Sequence, residues 1–200
     1  MIEYLDNLDK ELMLWMNYDG GALQDAIWYF LSGKFTWIPL YLLLIWLLVQ
    51  KCRLPKFQWK PFIVLFIITI VVVALSDQIA SGLIKNWVQR PRPSRPDSGI
   101  SDWIHIVNDY RGGHYGFVSS HASNTIGIAL WFILLFKKRW LTTLLITWVV
   151  LNCYSRIYLG VHYPGDILGG LSVGTLVALF CYHMLLPLIN KATNTHSFPQ

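Results

Sequence analysis

Charge is what this chain has least of. Only 14% of its 200 residues are Asp, Glu, Lys or Arg, while 54% are hydrophobic and the mean hydropathy is +0.44. Soluble domains carry about 25% charged residues, so this composition excludes that class and points to a chain solvated largely by lipid. Cysteine is scarce as well. Cys52, Cys153 and Cys181 form no paired framework, and two of them fall inside apolar runs, which predicts packed thiols without a disulfide or metal site. The sequence lacks internal repeats, low-complexity tracts and interdomain linkers, so residues 1–200 read as one membrane domain. A basic region followed by an apolar core is missing at the N-terminus, and no cleaved signal peptide is expected.

What the chain does have is long apolar runs. Residues 61–80 hold one charge, Asp77, and at 1.5 Å per residue they give about 30 Å of helix, enough to span a bilayer core. Further spans are predicted at 35–50, 121–136, 140–157 and 164–186. The expected fold class is all-α: a polytopic membrane helical bundle of five to six transmembrane helices with an N-terminal amphipathic helix. In that scheme 1–33 form amphipathic or half-buried helices, 35–186 the core and 187–200 a cytoplasmic tail. Ile2, Leu5, Leu8, Leu12 and Trp15 share one helical face, apart from Glu3, Asp6, Asp9 and Glu11. That pattern suits a helix lying on the membrane surface and equally one packed on the bundle. Residues 22–32 are too short to span; they form a half-buried helix or join 35–50 in one long tilted span. Trp37, Trp59, Trp87 and Trp140 sit near span ends, as interfacial anchors do.

The sixteen Lys and Arg residues divide into two groups of eight. Lys51, Arg53, Lys56, Lys60, Lys137, Lys138, Arg139 and Lys191 occupy two short loops and the tail, which the positive-inside rule assigns to the cytoplasm. Most of the others flank or fill the loops at 85–119 and 156–163, against that topological preference. Lys85 and Arg156 fall at span ends, where an unpaired charge is costly and marks function. An anionic ligand at the outer interface accounts for both sign and place, whereas nucleic-acid binding does not fit a membrane bundle.

Three clusters carry the chemistry. Lys85-Asn86-Trp87-Val88-Gln89-Arg90-Pro91-Arg92-Pro93 ends a span with an extended exit forced by proline. Alone it reads as a snorkelling anchor. Gly116-Phe117-Val118-Ser119-Ser120-His121 precedes another span; Ser119 or Ser120 suits an N-cap, and the free N–H groups there cradle an anion. Alone it reads as a capped helix with an interfacial histidine. Ser155-Arg156-Ile157-Tyr158-Leu159-Gly160-Val161-His162-Tyr163-Pro164-Gly165-Asp166 joins two apolar runs. Asp166 can stand behind the His162 imidazole, as a nucleophilic or general-base histidine requires, and Arg156 adds a planar cation suited to phosphate. His105, His114, His183 and His196 belong to none of the clusters, with His114 the one nearest to them.

Lys85, six residues, Arg92-Pro93; Ser119-Ser120-His121; and Ser155-Arg156, five residues, His162, three residues, Asp166 together form a three-part pattern. It resembles the signature of the type 2 phosphatidic acid phosphatase superfamily, membrane lipid phosphatases that share a site with vanadium haloperoxidases. The likeness covers roughly residues 60–185. Val118 and Ser120 stand where the family usually has proline and glycine. The family core has six helices against five clear spans here, so 3–17 or 22–32 would supply the first.

The resemblance implies a lipid phosphomonoesterase or pyrophosphatase working without metal or other cofactor. His162 attacks phosphorus, Asp166 fixes its tautomer, and His121 protonates the leaving group. Lys85, Arg92 and Arg156, with backbone N–H groups near Ser119 and Ser120, hold the phosphoryl oxygens. The residue census agrees: two histidines, three cations and one carboxylate, whereas a two-metal phosphatase needs several carboxylates together. The expected partners are a lipid phosphate and the bilayer; no obligate protein partner is evident. The expected location is a bacterial inner membrane with the site facing outward. Undecaprenyl pyrophosphate is favoured by family analogy over phosphatidylglycerophosphate, phosphatidic acid and a lipid A phosphate. A non-catalytic anionic-lipid transporter also fits the arginines but leaves both histidines unexplained, and a phosphotransferase would use the same site.

Overall fold

The computed structural model describes residues 2–53 and 56–192; positions 193–200 of the expected tail, including His196, lie outside the described residues. Every apolar run becomes helix. α1 (Ile2–Met16), α2 (Gly21–Ser32) and α3 (Ile38–Lys51) are followed by α4 (Trp59–Val88), α5 (Ser120–Phe136), α6 (Arg139–Tyr158) and α7 (Pro164–Lys191). Among the described residues no strand forms; one bridge, Pro91 to Tyr115, ties the exit of α4 to the segment before α5. α4 and α7 each contain a wider π-helical stretch, Gln78–Ile84 and Cys181–Leu185.

The helix ends follow local chemistry. Pro164 occupies the first turn of α7, where its missing N–H costs nothing. α4 stops at Gln89, which takes a left-handed conformation (φ 52°) just before Pro91. Between α2 and α3 the backbone leaves the helix at Gly33 (φ −70°, ψ 136°), and the two rods are bent by 71°. Residues 22–32 therefore do not continue 35–50 as one straight tilted span.

α4 and α7 are long and apolar enough to cross a membrane, and α2 with α3 makes a third if the bent pair is one span. The expectation of five to six spans also counted α5 and α6. α5 has only 17 residues, and α6, at 20, carries Asn152, Ser155 and Arg156 in its last turns. Both are helices that host polar residues near one end. Ile45, Trp46, Ile67, Ile70, Leu168 and Leu176 project large apolar side chains outward. Such a surface is inside-out for water and right for hydrocarbon. The protein is an integral membrane protein.

α5 is the central rod, packed against α4, α6 and α7. Its contact with α7 depends on small residues. A Cβ at Gly170 would collide with the carbonyl oxygen of Ser119, and one at Gly174 with that of Ser123. On the other side Gly127 admits Ser76 and Val72 of α4, whose atoms would lie 2.9 and 3.3 Å from an added Cβ. In lipid, where apolar surface gains little by hiding from its surroundings, such close backbone approach is what holds helices together. At the far end Lys51 donates to the carbonyl of Leu135 (3.2 Å), joining the basic end of α3 to that of α5. All three cysteines are buried and free.

α1 packs on α6 and α7, but not through its apolar stripe. Met13 is buried, and Asp6 and Asp9 turn toward Arg90, while Leu5, Leu8, Leu12 and Trp15 remain exposed, Trp15 by 76%. The helix is both docked on the bundle and apolar on its outside.

Replacing Gly174 by Val should therefore force α5 and α7 apart. Overpacking of this kind costs about 1–3 kcal/mol, read as a lowered thermal unfolding midpoint in detergent micelles. An unchanged midpoint would contradict this account of the α5–α7 contact.

Candidate active site

Three helix ends meet at one end of the bundle: the exit of α4, the start of α5 and the α6–α7 junction. The junction is the most constrained. Asp166, in the first turn of α7, accepts the Tyr163 N–H at 3.1 Å, closing a cap on the helix. The same oxygen, Oδ2, faces His162 Nδ1 at 3.2 Å, and both side chains are fully buried. A charged carboxylate only accepts, so it selects the tautomer with hydrogen on Nδ1 and leaves Nε2 with its lone pair free. Gly116 closes the other side: a Cβ there would lie 2.7 Å from Asp166 Oδ2.

The carbonyl of Asp166 accepts the Ser119 N–H at 2.9 Å, stitching α7 to the N-cap of α5. Ser119 Oγ in turn accepts the Ala122 N–H at 3.4 Å. This corrects the expectation for Ser119, whose N–H is already spent within the fold. The donors at this helix start that point along its axis are those of Ser120 and His121, in its first turn.

Around the imidazole stand the cations. Arg92 is buried, giving Nε to the carbonyl of Tyr115 (3.1 Å) and Nη1 to that of Val161 (3.4 Å). Arg156, only 2% exposed, donates Nη2 to the Tyr110 hydroxyl at 3.2 Å and Nη1 to Ser32 Oγ; its buried Nε has no partner among the described residues. A buried donor left unmade is costly, and here it belongs to a planar cation built for phosphate. Burial pushes the His162 pKa well below its ordinary 6.5, and the charges of Arg92, Arg156 and Lys85 push it further in the same direction. Burial, then the neighbouring Arg156, brings Arg92 down to about 10. Burial would raise Tyr110, but Arg156, Arg92 and Lys34 together hold it below its ordinary value. Lys85, Arg92, Arg156, His121 and His162 thus share one electrostatic neighbourhood.

A cavity of about 320 Å³ opens here, lined by Ser32, Lys34, Tyr110, His121 and Arg156. A second, of about 470 Å³, shares Ser32, Lys34 and His121 and runs down between helices past Trp37, Tyr41, Val73 and Trp148. Asp77, Asn124, Thr125 and Asn152 also line it, so its wall mixes aromatic and aliphatic side chains with polar ones. Among the described residues, the group of His, Cys, Asp and Glu close enough to hold an ion is Asp19, Asp25 and His105. It stands apart from the imidazole pair, and His105 Nε2 and the Tyr158 hydroxyl already engage Asp25 at 2.8 and 2.7 Å.

The family model described as PAP2 superfamily matches residues 60–189. The chain belongs to the PAP2 superfamily. Its PAP2 relatives include a lipid A 4'-phosphatase of Bacteroides thetaiotaomicron, 38% identical over 178 residues, spanning 87% of this chain and 75% of the relative. A second, from Porphyromonas gingivalis, is 34% identical and spans 92% and 76%. An undecaprenyl-diphosphatase of Sulfolobus acidocaldarius is 28% identical over 84% of this chain and 74% of its own. The PAP2 fold is shared with the crystal structure of Aquifex aeolicus LpxE, at a TM-score of 0.64 and 21% identity, covering 86% of this chain and 93% of that one.

Sequence reasoning missed several neighbours of the PAP2 clusters. Arg90 meets Asp166 Oδ1 at 3.2 Å, Asp9 at 2.6 Å and Asp6 at 2.8 Å. Asp6 and Asp9, three apart on one face of a predicted helix, were the available signal that a cation waits opposite. Ser32, Lys34 and Tyr110 carried no such signal. His114 lies near the site only by its backbone, whose carbonyl accepts the Arg92 N–H at 3.1 Å, while its ring pairs with Asp97 at 3.0 Å. His183 sits against Tyr182 near the other end of α7.

Because the folded state holds His162 neutral, its contribution to stability is complete above the unfolded pKa of about 6.5 and is lost as pH falls below it. In phosphate-free buffer at pH 6, histidine ¹⁵N NMR should show His162 unprotonated. A titration midpoint at or above 6.5 would contradict the burial and charge environment described here.

Proposed function

We propose that this protein hydrolyses a phosphate group from a membrane lipid through a phosphohistidine. His162 Nε2 attacks phosphorus as the bond to the leaving oxygen breaks, and His121 delivers a proton to that oxygen. Asp166 stabilises the positive imidazole formed on attack. Lys85, Arg92 and Arg156, with the N–H groups of Ser120 and His121, hold the three phosphoryl oxygens. Water, deprotonated by His121, then cleaves the N–P bond and releases inorganic phosphate. None of these steps calls on a metal. The observation that carries this reading is the buried His162–Asp166 pair set among cations, one of which, Arg156, holds an unpartnered buried donor. A lipid-binding or transport role needs the cations but not the oriented imidazole.

For the substrate, two relatives above 30% identity bear the name lipid A 4'-phosphatase over most of both chains. We therefore favour a phosphomonoester on an acylated sugar over the undecaprenyl diphosphate expected from family analogy. One feature speaks for the diphosphate. Lys34 lines both cavities beside His121, where it would neutralise a phosphate leaving group. In the membrane, α5 and α6 cross alongside α4, α7 and the bent α2–α3 pair, giving five spans. The basic loops around 51–60 and 137–139 face the cytoplasm, and the site opens on the outer side of an inner membrane.

Purified protein should release phosphate from lipid A and from undecaprenyl diphosphate at rates that rank the two substrates. Activity should survive excess chelator and be inhibited by vanadate. Loss of turnover in EDTA with recovery on adding Mg²⁺ or Zn²⁺ would contradict the metal-free scheme.

The two histidines should fail at different steps. His162→Ala should abolish acid-labile protein-bound ³²P in a quenched single turnover. His121→Ala should lose about 10² to 10⁴ in rate with a poor alkoxide leaving group and much less with p-nitrophenolate. Labelled phosphoenzyme in His162→Ala, or equal His121→Ala defects with both leaving groups, would overturn the assignments.

A further inference from the structure

One ion cluster, fully buried at Asp166 and partly exposed at Asp6, lies directly behind the proposed nucleophile. Arg90 is 17% exposed; Nη1 lies 2.6 Å from Asp9 Oδ2 and 3.2 Å from Asp166 Oδ1, and Nη2 lies 2.8 Å from Asp6 Oδ1. Its guanidinium carbon stands 3.8 Å from the centre of the Tyr163 ring. Asp9 also accepts the Gly165 N–H at 2.7 Å, and a Cβ at Gly165 would lie 2.6 Å from that carboxylate. α1 is thus seated on the first turn of α7 by hydrogen bonds to backbone and to Arg90 together.

The two oxygens of Asp166 have different duties. Oδ2 meets His162 Nδ1 and the Tyr163 N–H, and Oδ1 meets Arg90. We propose that Arg90, clamped by Asp6 and Asp9 of α1, is a positioning residue that fixes the rotation of Asp166 and so aims His162. The proposal rests on the reading of His162 and Asp166 as the reacting pair.

Three observations favour this role over a simple tether for α1. The clamp ends on the one carboxylate oxygen that the imidazole does not use. A guanidinium fork can bridge Asp166 and Asp9 through one nitrogen while holding Asp6 with the other, which fixes orientation as well as charge. Finally, the charges are graded. With Asp166 ionised, Asp6, Asp9 and Asp166 against Arg90 and Lys10, which pairs with Asp6 at 2.8 Å, leave one net negative charge. That field favours the positive imidazole formed when the N–P bond is made. Without Arg90 the carboxylates would face one another, and one would take up a proton. Burial works against charge on Arg90, yet Asp166, Asp9 and Asp6 outweigh it and hold its pKa above the ordinary value. α1 lies outside the residues matched by the family model, so this support comes from the part of the chain that precedes them.

The test uses the full chain in lipid–detergent micelles, with Arg90→Gln, Arg90→Lys and Asp9→Asn. Asn at position 9 can still accept the Gly165 N–H, so it removes charge while keeping the docking bond. The readouts are kcat and KM for phosphate release, the unfolding midpoint, and the NMR resonance of the His162 Nδ1 proton. Arg90→Gln and Arg90→Lys should both lower kcat by about 10–100-fold with KM within about twofold, as loss of an orienting partner does. Asp9→Asn should lower kcat in the same direction, with its midpoint unchanged, and all three should move the His162 resonance. A rise in KM at unchanged kcat would overturn the proposal, because Arg90 would then be touching substrate. Folded Asp9→Asn with wild-type kcat and an unmoved resonance would also overturn it, even if the Arg90 variants fail to fold. If the wild-type protein releases no phosphate from any lipid, the phosphatase reading fails instead, and the resonance alone still reports whether Arg90 orients the imidazole.

Discussion

Asp166 is where the structure is over-determined. It caps α7 through the Tyr163 N–H, orients His162, meets Arg90, and through its carbonyl holds the Ser119 N–H at the start of α5. A carboxylate in a helix's first turn is already favoured by the exposed N–H groups there. Burial makes each of these bonds strong, since no water competes, and makes losing any of them expensive. The close approach of α5 and α7 over Gly170 and Gly174 brings the two helix starts near enough for that network to close.

The same region concentrates positive charge: Lys85, Arg92 and Arg156 all act on His162, while Asp77 is the acid among the residues lining the larger cavity. Arg92 and Arg156 are buried, each held by neutral oxygens, and Arg156 retains a donor without a partner among the described residues. Natural proteins rarely leave such groups unmade. In the proposed function, a phosphoryl oxygen would give that donor its partner. The arrangement is two-sided: Arg156 and Lys34 line the cavity, and behind the imidazole the carboxylates of α1 and α7 gather around Arg90.

The membrane imposes the remaining logic. Helices that face hydrocarbon cannot rely on hiding apolar surface, so the bundle closes through small residues. Polar residues collect at one end, where backbone groups freed by helix breaks find partners in one another or in an arriving anion. α1 fits this scheme by turning its acids inward to Arg90 and its leucines and Trp15 outward. A surface helix of that kind has lipid on its apolar side.

Much of this was legible in the sequence. Apolar runs mark helices because their length and periodicity are local properties, and all five predicted runs became helices. Pro91, Pro93 and Pro164 mark ends because proline's missing N–H acts wherever it stands. The clusters holding Lys85 and Arg92, Ser119-Ser120-His121, and Arg156, His162 and Asp166 were visible because each falls at the end of an apolar run; the roles expected of them came from the family resemblance. Other features required the third dimension. Whether Ser119 offers its N–H to an anion or to Asp166 depends on how closely α5 approaches α7. Which face of α1 is buried depends on Arg90, more than eighty positions from Asp6. The pairings of Arg156 with Ser32 and Tyr110 likewise join segments 124 and 46 positions apart. Spacing encodes what lies within a few turns of helix; contacts between distant segments exist only once packing has chosen which of many polar groups end up dry and facing one another.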